Sequence, residues 1–326
     1  MTAPPVLVTS RSFSSGTVDL VARLESAGLR VVRGPADHDL AALRPLLSDV
    51  VAWIAGTGPV TAEHLALAPR LRILARYGVG TDAVDLAAAD AAGVVVTNTP
   101  GANTEAVAEH ALALAFAALR RVPEGDRRVR SGAWSVVRGR QLAGATAGVV
   151  GYGRIGRRVA ARLQALGCTV VVHDPFVTDE EVAAAGHERD SLERVAATCS
   201  VVSLHAPGGD VLVGRSWVAG CREGQVVVNT ARAALVDEQS VADGLRSGRL
   251  GAFAADTLTT ETGPGRGSPL LAPDLADRVV LTPHVGAQTD EAVDLMGTMA
   301  VEDVLAVLGG REPSHAVPAV ARGGAR

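Results

Sequence analysis

A glycine-rich turn between two apolar runs constrains this chain more than any other stretch. The run Ala147–Val150 leads into GYGRIG at 151–156, a helical pattern continues to about Leu166, and a β-branched run at Thr169–Val172 ends near Asp174. A strand, a glycine turn, a helix, a second strand and an acidic residue in this order form a unit that binds a dinucleotide. The sequence therefore predicts a Rossmann-type βαβ unit.

The residues of this turn have separate physical roles. Gly151 permits the tight turn after the strand, Gly153 lets the backbone approach a pyrophosphate, and Gly156 lets the helix pack against the sheet. The amides of the helix N-terminus then face the anion, with Arg154 and Ile155 in the same turn. We expect all five residues to bind the cofactor. The alternative is an ordinary βαβ unit whose glycines serve only packing.

Asp174 indicates which dinucleotide is bound. It follows Gly156 by 18 residues, at the tip of the second strand. A carboxylate there accepts hydrogen bonds from a ribose diol and repels a 2′-phosphate. The neighbouring positions 173 and 175–177 hold no arginine that would receive such a phosphate. We therefore predict NAD rather than NADP.

Composition excludes several classes of protein. The 326 residues suffice for two domains, and a net charge of −4 with interspersed charges gives no footprint for nucleic acid or an anionic membrane. The N-terminus MTAPPVLVTSRS does not resemble a signal peptide, and no apolar run approaches the ~20 residues that span a bilayer. The three cysteines have no metal-ligand spacing and are expected to be packed thiols, so we expect a cytoplasmic protein with no metal site.

Strand-like and helix-like runs alternate along the chain, which indicates α/β domains with parallel sheets. Candidate functional residues recur where strand-like runs end, the edge at which open α/β sheets bind ligands. These strand-end candidates include Arg76, His205, Arg232, Asp256 and His284.

Two long helices and one irregular stretch are predicted outside this alternation. The alanine-rich segment Glu105–Arg120 and the segment Asp290–Leu308 have helical patterns. Between the first helix and the glycine turn, Arg121–Leu142 is polar and lacks sustained periodicity, with Trp134 as its apolar anchor. We expect this stretch to be a protruding arm that packs on another subunit.

Most of the eight histidines need no functional role. His110 lies inside the alanine-rich helix and is interpreted as a packed or capped polar residue. Four others are expected to face solvent, namely His38, His64, His187 and His315.

Three further motifs accompany the glycine turn: VVNTARAALVDE around Arg232, AADTLTTETGPG around Asp256 and Glu261, and LTPHVGAQT around His284. Together with RYGVGTDAVD at 76–85 and NTPGANTEAVAEH at 98–110, they resemble the D-isomer-specific 2-hydroxyacid dehydrogenase family. The resemblance extends from about residue 71 to 288, with order and spacing kept.

The resemblance implies a catalytic set. Arg232 would hold the carboxylate and carbonyl oxygen of the substrate, for which a planar guanidinium is suited. His284 would be the acid/base, because the pKa of imidazole lies near the operating pH. Glu261 would orient the ring of His284 and favour its protonated form.

The resemblance also implies contacts with substrate and cofactor. The amides near Val79 and Gly80 would bind the substrate carboxylate, with Arg76 beside them, and Asp256 would contact the carboxamide of nicotinamide. The remaining cofactor contacts would be His205, Pro207, Thr230, Ala231 and Gly286.

Family members have two Rossmann-like doubly wound domains with a cleft between them that closes on substrate. Carried over, residues 1–100 with 287–326 would form the substrate domain and residues 101–286 the NAD-binding domain. Members are commonly homodimers through the cofactor domain, which would account for the arm at 121–142.

The substrate expected from the resemblance is a small D-2-hydroxy acid or its 2-keto acid, but its identity stays open among phosphorylated, phosphonate and aliphatic acids. Phosphoglycerate is disfavoured, because WIAGTGPVT at 53–61 lacks the basic residues that phosphoglycerate-type members place near the phosphate. Glu261 departs from the family pattern, since no proline follows it. The alternative function is an NADH-sensing corepressor or scaffold of the same fold.

Overall fold

A computed structural model of the chain describes residues 3–260 and 267–318. Two units can be separated, one formed by Met1–Asn103 with Ala287–Arg326 and the other by Thr104–Gly286. Each contains one sheet whose strands are parallel, with helices between most successive strands. The predicted α/β fold class is confirmed.

The first unit is built on a five-stranded parallel sheet. Its strands are β1 (Pro5–Val8), β2 (Arg30–Arg33), β3 (Ala52–Ala55), β4 (Ile73–Arg76) and β5 (Val95–Thr97), in the spatial order β2-β1-β3-β4-β5. The intervening helices are α1 (Leu20–Ser26), α2 (Leu40–Leu47), α3 (Ala62–Ala66) and α4 (Leu86–Ala91).

Aspartates begin three of these helices. The carboxylates of Asp19, Asp39 and Asp85 each accept a hydrogen bond of 2.9 Å from the amide three residues later. That amide has no partner inside its helix, so the cap stabilises the first turn. A polar residue before each apolar run thus fixes where α1, α2 and α4 start.

A buried hydrogen-bond network lies at the carboxyl ends of β1 and β3. Thr9 Oγ1 accepts from Trp53 Nε1 at 2.9 Å and from the Gly56 amide at 3.3 Å. Its own hydroxyl proton therefore points to His38 Nε2, 2.6 Å away. His38 Nδ1 must then donate to Pro59 O, at 3.0 Å, so we assign His38 as the neutral Nδ1-protonated tautomer. Burial lowers the pKa of His38 to about 4.

The expectation that four histidines face solvent is wrong. His38 and His64 are buried in this network, where His64 Nε2 lies 2.9 Å from His38 O. His187 is buried too, and His315 is half-buried with Nδ1 3.1 Å from Asp303 Oδ2. Thr9, a partner of His38, and Tyr152, the partner of His187, lie 29 and 35 residues away in the chain, so local polarity did not reveal the burial.

The second unit is built on a seven-stranded parallel sheet. Its strands are β6 (Thr146–Val150), β7 (Thr169–His173), β8 (Glu188–Arg189), β9 (Val201–Leu204), β10 (Gln225–Asn229), β11 (Leu250–Ala255) and β12 (Val279–Leu281), in the spatial order β12-β11-β10-β9-β6-β7-β8.

Seven helices of the second unit precede the strands or connect them. They are α5 (Thr104–Leu119), α6 (Val122–Arg130), α7 (Arg154–Ala165), α8 (Asp179–Ala184), α9 (Leu192–Thr198), α10 (Arg215–Gly220) and α11 (Glu238–Arg246), with 3₁₀ turns at Ala233–Leu235, Pro269–Leu271 and Pro273–Leu275. The chain then returns to the first unit through α12 (Asp290–Leu308).

Apolar residues cover both faces of the seven-stranded sheet. Successive residues of a strand point to opposite faces, and Val149 and Val150 of β6 accordingly belong to two different buried clusters. The alanine-rich helix α5 packs in the first cluster with α7, and α11 packs in the second. The near-continuous apolar strands reflect this burial on both sides.

The sequence predicted an irregular stretch at 121–142, and this prediction is wrong for its first part. Its first part is the helix α6, which Arg121 precedes in the left-handed region with φ 53°. The buried carboxylate of Glu124 pairs with the guanidinium groups of Arg121 and Arg128, three and four residues away. Ion pairs rather than an apolar stripe hold this helix, so hydrophobic periodicity did not reveal it.

The three cysteines are buried free thiols, as expected, and burial raises the pKa of Cys199 to about 11. Among residues 3–260 and 267–318, no helix is both long and apolar enough to cross a bilayer.

Replacing Thr9 with valine should lower the free energy of unfolding by about 2–4 kcal/mol, because it leaves His38 Nε2, Trp53 Nε1 and the Gly56 amide without their shared partner. Urea denaturation at pH 7, followed by circular dichroism, measures the change.

Thr97→Val is the matched control. Thr97 is as buried as Thr9, with 1% of each residue exposed, but the Thr97 hydroxyl has no hydrogen-bond partner among the described residues. Its replacement should change the free energy of unfolding by less than about 1 kcal/mol. Equal destabilisation of both variants would contradict the importance of the network.

Candidate active site

The carboxyl ends of six neighbouring strands in the second unit carry the predicted site. Across β12, β11, β10, β9, β6 and β7, the residues that follow each strand or lie within three positions of it are His284, Asp256, Arg232, His205, Gly151 and Asp174 respectively. Neighbouring strands lie about 4.8 Å apart, so these residues share one edge of the sheet. The remaining predicted catalytic residue, Glu261, lies outside the described residues.

The glycine turn lies where the strand order reverses. From β6 the chain proceeds to β7 and β8 on one side, and the later strands continue from β9 on the other side. Gly151 has φ +92°, and a Cβ added to it would lie 2.5 Å from Ala206 N. Only glycine lets the turn and the loop after β9 approach so closely, at the position where doubly wound sheets bind ligands.

Gly156 and Gly153 are glycines for different reasons. A Cβ added to Gly156 would lie 1.9 Å from the carbonyl oxygen of Gly151, so helix packing requires glycine there. Gly153, the N-cap of α7, has extended backbone, and a Cβ added to it would meet no heavy atom within 4 Å. Since the packing of the chain does not require Gly153, its open space fits a pyrophosphate bound against the amides of α7.

The side chain of Asp174 is hydrogen-bonded to the glycine turn. Its carboxylate accepts hydrogen bonds from the amides of Tyr152, at 2.7 Å, and Phe176, at 2.8 Å. Because a carboxylate has about four lone-pair sites, acceptor capacity remains for a ribose diol. The geometry fits the predicted role.

An arginine near Asp174 was missed by the sequence argument. Arg189 donates to the backbone oxygen of Asp174 at 3.2 Å and pairs with Asp179 at 2.8 Å. The positions adjacent to Asp174 hold no arginine, but pairing of β7 with β8 brings in Arg189 from the next strand. A strand of two residues leaves no pattern that would have revealed it.

The buried side chain of Tyr152 connects the glycine turn to the interior of the second unit. Its hydroxyl lies 2.8 Å from His187 Nδ1 in the interior, and the guanidinium of Arg157 lies 4.4 Å from the centre of its ring. Burial raises the pKa of this phenol. The glycine motif specifies no residue at this position, so the anchor was not predicted.

The loop after β10 is shaped by the buried side chain of Asn229. Its Oδ1 accepts from the Ala231 amide at 3.0 Å and its Nδ2 donates to the Arg232 carbonyl at 2.9 Å. Arg232 is half-buried, and its Nη1 lies 3.0 Å from the carbonyl of Ala231. The buried hydroxyl of Thr230 has no hydrogen-bond partner among the described residues, which fits a group supplied by a bound ligand.

The loop after β9 contributes a neutral imidazole. His205 is half-buried, its Nε2 lies 2.8 Å from Ser203 Oγ, and burial lowers its pKa to about 3. A histidine that stays neutral at physiological pH can line a site without donating a catalytic proton. Pro207 follows it and is exposed.

Asp256 holds the loop that carries His284. Its carboxylate accepts hydrogen bonds from the Thr282 hydroxyl, from the Val285 amide at 2.9 Å and from the Gly286 amide at 2.7 Å. Burial alone raises the pKa of a carboxyl group, but hydrogen bonds from His110, Thr282 and two backbone amides outweigh it and lower the pKa of Asp256. The carboxylate of Asp256 is therefore ionised, and three of its hydrogen bonds come from the loop at 282–286.

His284 lies in a strained part of this loop. Its amide donates to the carbonyl of Asp256 at 3.0 Å, and its φ is 53°, in the left-handed region. A non-glycine residue persists there only where its surroundings hold it, and such positions cluster at functional sites. The residue is exposed at this edge of the sheet.

His110 was interpreted as a packed polar residue, but it touches this loop. Its Nε2 lies 2.8 Å from Thr282 Oγ1 and 3.3 Å from Asp256 Oδ1. The signal in the sequence that could have revealed this contact is that His110 is the one histidine of the alanine-rich helix α5.

The predicted substrate residues of the first unit follow β4. Arg76 is buried, and its Nη1 donates to the carbonyls of Ala55 at 3.3 Å and Tyr77 at 2.6 Å. The Asn98 side chain donates to the carbonyl of Val79 at 2.8 Å, and Gly80 is half-buried. Their substrate roles stay predictions.

No group of three His, Cys, Asp or Glu side chains able to hold a metal ion occurs in the described part of the chain.

Comparison with known proteins gives one family. The model of the D-isomer specific 2-hydroxyacid dehydrogenase NAD binding domain matches residues 112–286. D-3-phosphoglycerate dehydrogenase of Mycobacterium leprae is 40% identical over 97% of this chain, which spans 59% of the length of that relative. Glyoxylate reductase of Korarchaeum cryptofilum is 35% identical over 80% of each chain. The crystal structure of the TT0316 protein from Thermus thermophilus has a TM-score of 0.86 at 36% identity, covering 96% of this chain and 100% of that one.

Alanine substitutions at two glycines of the turn should separate ligand binding from folding. Gly153→Ala should leave the melting temperature unchanged but weaken NADH binding about tenfold or more, because the added methyl group occupies space needed by the pyrophosphate. Fluorescence titration with NADH and thermal denaturation measure the two effects.

Gly156→Ala is the contrasting variant. Its added methyl group would overlap the carbonyl of Gly151, so it should lower the stability of the protein itself by about 1–3 kcal/mol. If Gly153→Ala also lowers the melting temperature or leaves NADH affinity unchanged, its assigned role is wrong.

Proposed function

We propose, since the chain belongs to the D-isomer specific 2-hydroxyacid dehydrogenase family, that it is an NAD-dependent oxidoreductase interconverting a small D-2-hydroxy acid and its 2-keto acid. The observation that carries this proposal is the sheet edge shared by the glycine turn, Arg232 and His284. A dinucleotide-binding turn alone implies only a cofactor. A guanidinium and an exposed imidazole on the same edge add the groups that an acid substrate needs.

In this proposal His284 transfers the proton. During reduction its imidazolium gives a proton to the ketone oxygen, and during oxidation the neutral ring takes the proton from the hydroxyl group. A nicotinamide dinucleotide held by the glycine turn and Asp174 would supply the hydride chemistry of this interconversion. Held by Asp256 through its backbone amide, His284 keeps a fixed position relative to the edge of the sheet.

Arg232 is proposed to bind the carboxylate and carbonyl oxygen of the substrate. The fork of a guanidinium matches two oxygens and stabilises the negative charge that develops on the carbonyl oxygen. Glu261 is proposed to orient the ring of His284 and to favour its protonated form. In the first unit, the Val79 and Gly80 amides are proposed to bind the carboxylate, with Arg76 beside them.

The proposed substrate carries no phosphate. Although relatives are named D-3-phosphoglycerate dehydrogenase, the loop at 56–59 contains no lysine or arginine. Arg76, the cation that follows β4, is buried and donates to backbone carbonyls. Glyoxylate, the substrate class in the name of another relative, makes no demand for a second cation.

We further propose a cytoplasmic homodimer. Three reduced, buried thiols fit a reducing compartment. An apolar group of exposed side chains on and after α6, namely Val122, Val129, Trp134 and Val136, fits burial against a second copy of the cofactor-binding unit.

The proposal is tested by NADH oxidation with a panel of 2-keto acids. Glyoxylate, pyruvate, hydroxypyruvate and its 3-phosphate are compared by the absorbance of NADH at pH 7, and we expect turnover with at least one unphosphorylated acid. His284→Ala should lower kcat about 10²–10⁴-fold, because the proton donor is lost, and should leave NADH affinity nearly intact.

Two results would contradict the proposal. Absence of turnover with every acid would favour the NADH-sensing corepressor or scaffold, and an equal loss of turnover and NADH affinity in His284→Ala would remove the acid/base role. A preference for the phosphorylated acid would overturn the assigned substrate class alone.

Cofactor choice is tested at Asp174. Asp174→Ala should weaken NADH binding about tenfold, because charged hydrogen bonds to the ribose are lost. It should also reduce the preference of the protein for NADH over NADPH, because Arg189 stays nearby. Calorimetric titration with both cofactors measures the ratio of affinities.

Asp190→Ala is the matched control. Asp190 is exposed just after β8 and contacts only Ser191 and Arg194 with its carboxylate among described residues. The control should keep the wild-type preference. An unchanged preference in Asp174→Ala would show that this carboxylate does not select NAD.

A further inference from the structure

His110 contacts the loop that carries His284 without belonging to it. It lies on α5, with its side chain 19% exposed, and its Nε2 reaches Thr282 Oγ1 and Asp256 Oδ1. Helix α5 lies before the glycine turn in the chain, whereas Asp256 and Thr282 follow β11 and β12. The contact therefore joins a helix on one face of the sheet to its carboxyl edge.

The direction of these hydrogen bonds follows from the groups themselves. The ionised carboxylate of Asp256 can only accept, so the Thr282 hydroxyl donates its proton to Asp256 Oδ1. Thr282 Oγ1 must then accept from His110 Nε2, which consequently carries a proton. His110 is thus the first donor of a chain that runs through Thr282 to Asp256.

The same carboxylate fixes the backbone around His284. Asp256 binds the amides of Val285 and Gly286, and its own carbonyl accepts from the amide of His284. Three successive amides of the loop thus depend on one residue. Because His284 has a positive φ, the loop needs these bonds to hold its conformation.

Gly286 packs closely against the carboxylate of Asp256 and lies beside the imidazole of His110. A Cβ added to Gly286 would lie 3.0 Å from Asp256 Oδ2 and 3.6 Å from His110 Cδ2. The imidazole of His110 therefore lies against one oxygen of the carboxylate, which the loop amides also contact. Removal of the imidazole would open a gap beside Asp256 and leave Thr282 Oγ1 without its donor.

We propose that His110 is a positioning residue for His284, acting through Thr282 and Asp256 on the loop at 282–286. This positioning role rests on the proposed function, in which His284 is the acid/base. His110 itself need not touch the substrate. Its effect is to keep the acid/base at the distance and orientation that proton transfer requires.

The test compares two substitutions of similar size. Gln can place an amide donor near the position of His110 Nε2, whereas Met fills a similar volume and donates no hydrogen bond. In His110→Met we expect kcat to fall about tenfold while the Kd of NADH changes less than about threefold. His110→Gln should recover most of the lost kcat.

A second measurement does not depend on activity. Hydrogen exchange of the Val285 and Gly286 amides in the cofactor-free protein should become about tenfold faster in His110→Met, and should stay near the wild-type rate in His110→Gln. If His110→Met does not yield folded protein, His110→Asn, whose amide is too short to reach Thr282, is measured in its place with the same expectation.

His315→Met is the matched control. His315 is also a half-buried histidine beside a buried aspartate, with Nδ1 3.1 Å from Asp303 Oδ2, but it belongs to the first unit. The control should leave kcat and exchange at 285–286 unchanged. An equal loss of kcat in both variants would identify a general stability effect.

The outcomes separate this inference from the proposed function. If the wild-type protein turns over a keto acid and His110→Met keeps its kcat and its exchange rates, the positioning role is wrong and the enzyme function stands. If no acid is turned over, faster exchange at 285–286 in His110→Met still supports the coupling to the loop, and unchanged exchange overturns it.

Discussion

Two aspartate carboxylates bind the backbone amides that shape the functional edge of the seven-stranded sheet. Asp174 binds the amide of Tyr152 inside the glycine turn, and Asp256 binds the amides of Val285 and Gly286 beside His284. Loops at strand ends contain backbone amides that cannot pair with a neighbouring strand. A carboxylate is a strong acceptor for such amides, because hydrogen bonds to a charged group are stronger than those between neutral groups. The geometry of both the glycine turn and the loop that carries His284 therefore depends on an aspartate carboxylate.

The first unit meets the same requirement with neutral groups. Thr9, Trp53 and His38 satisfy one another and the Gly56 amide at the carboxyl ends of β1 and β3. Burial that lowers the pKa of His38 to about 4 keeps this network uncharged at neutral pH. An uncharged network costs less desolvation than a buried ion, whereas Asp256 needs several donors to remain ionised in the interior.

Sequence could predict both parallel sheets and the clustering at strand ends, because apolar periodicity and the glycine motif are local signals. It could not predict the roles of His110, His187 and Arg189, whose partners come from other elements of the sheet. The helix α6 was missed because buried Glu124 and its two arginines, not an apolar stripe, hold it. Local patterns thus reveal the elements, and residues defined by tertiary contacts need the folded chain.

Packing excludes a cationic side chain at two of the four positions in the loop at 56–59. A Cβ added to Gly56 would lie 2.8 Å from Thr9 O, and one added to Gly58 would lie 2.5 Å from the ring of His38. Neither position can accept an arginine without disrupting the buried network behind the loop. A second anionic group on the substrate would therefore need a cation from elsewhere, such as exposed Arg11 after β1, whereas a small unphosphorylated acid needs none. The same buried histidine that stabilises the first unit thus restricts the chemistry that its loop can offer.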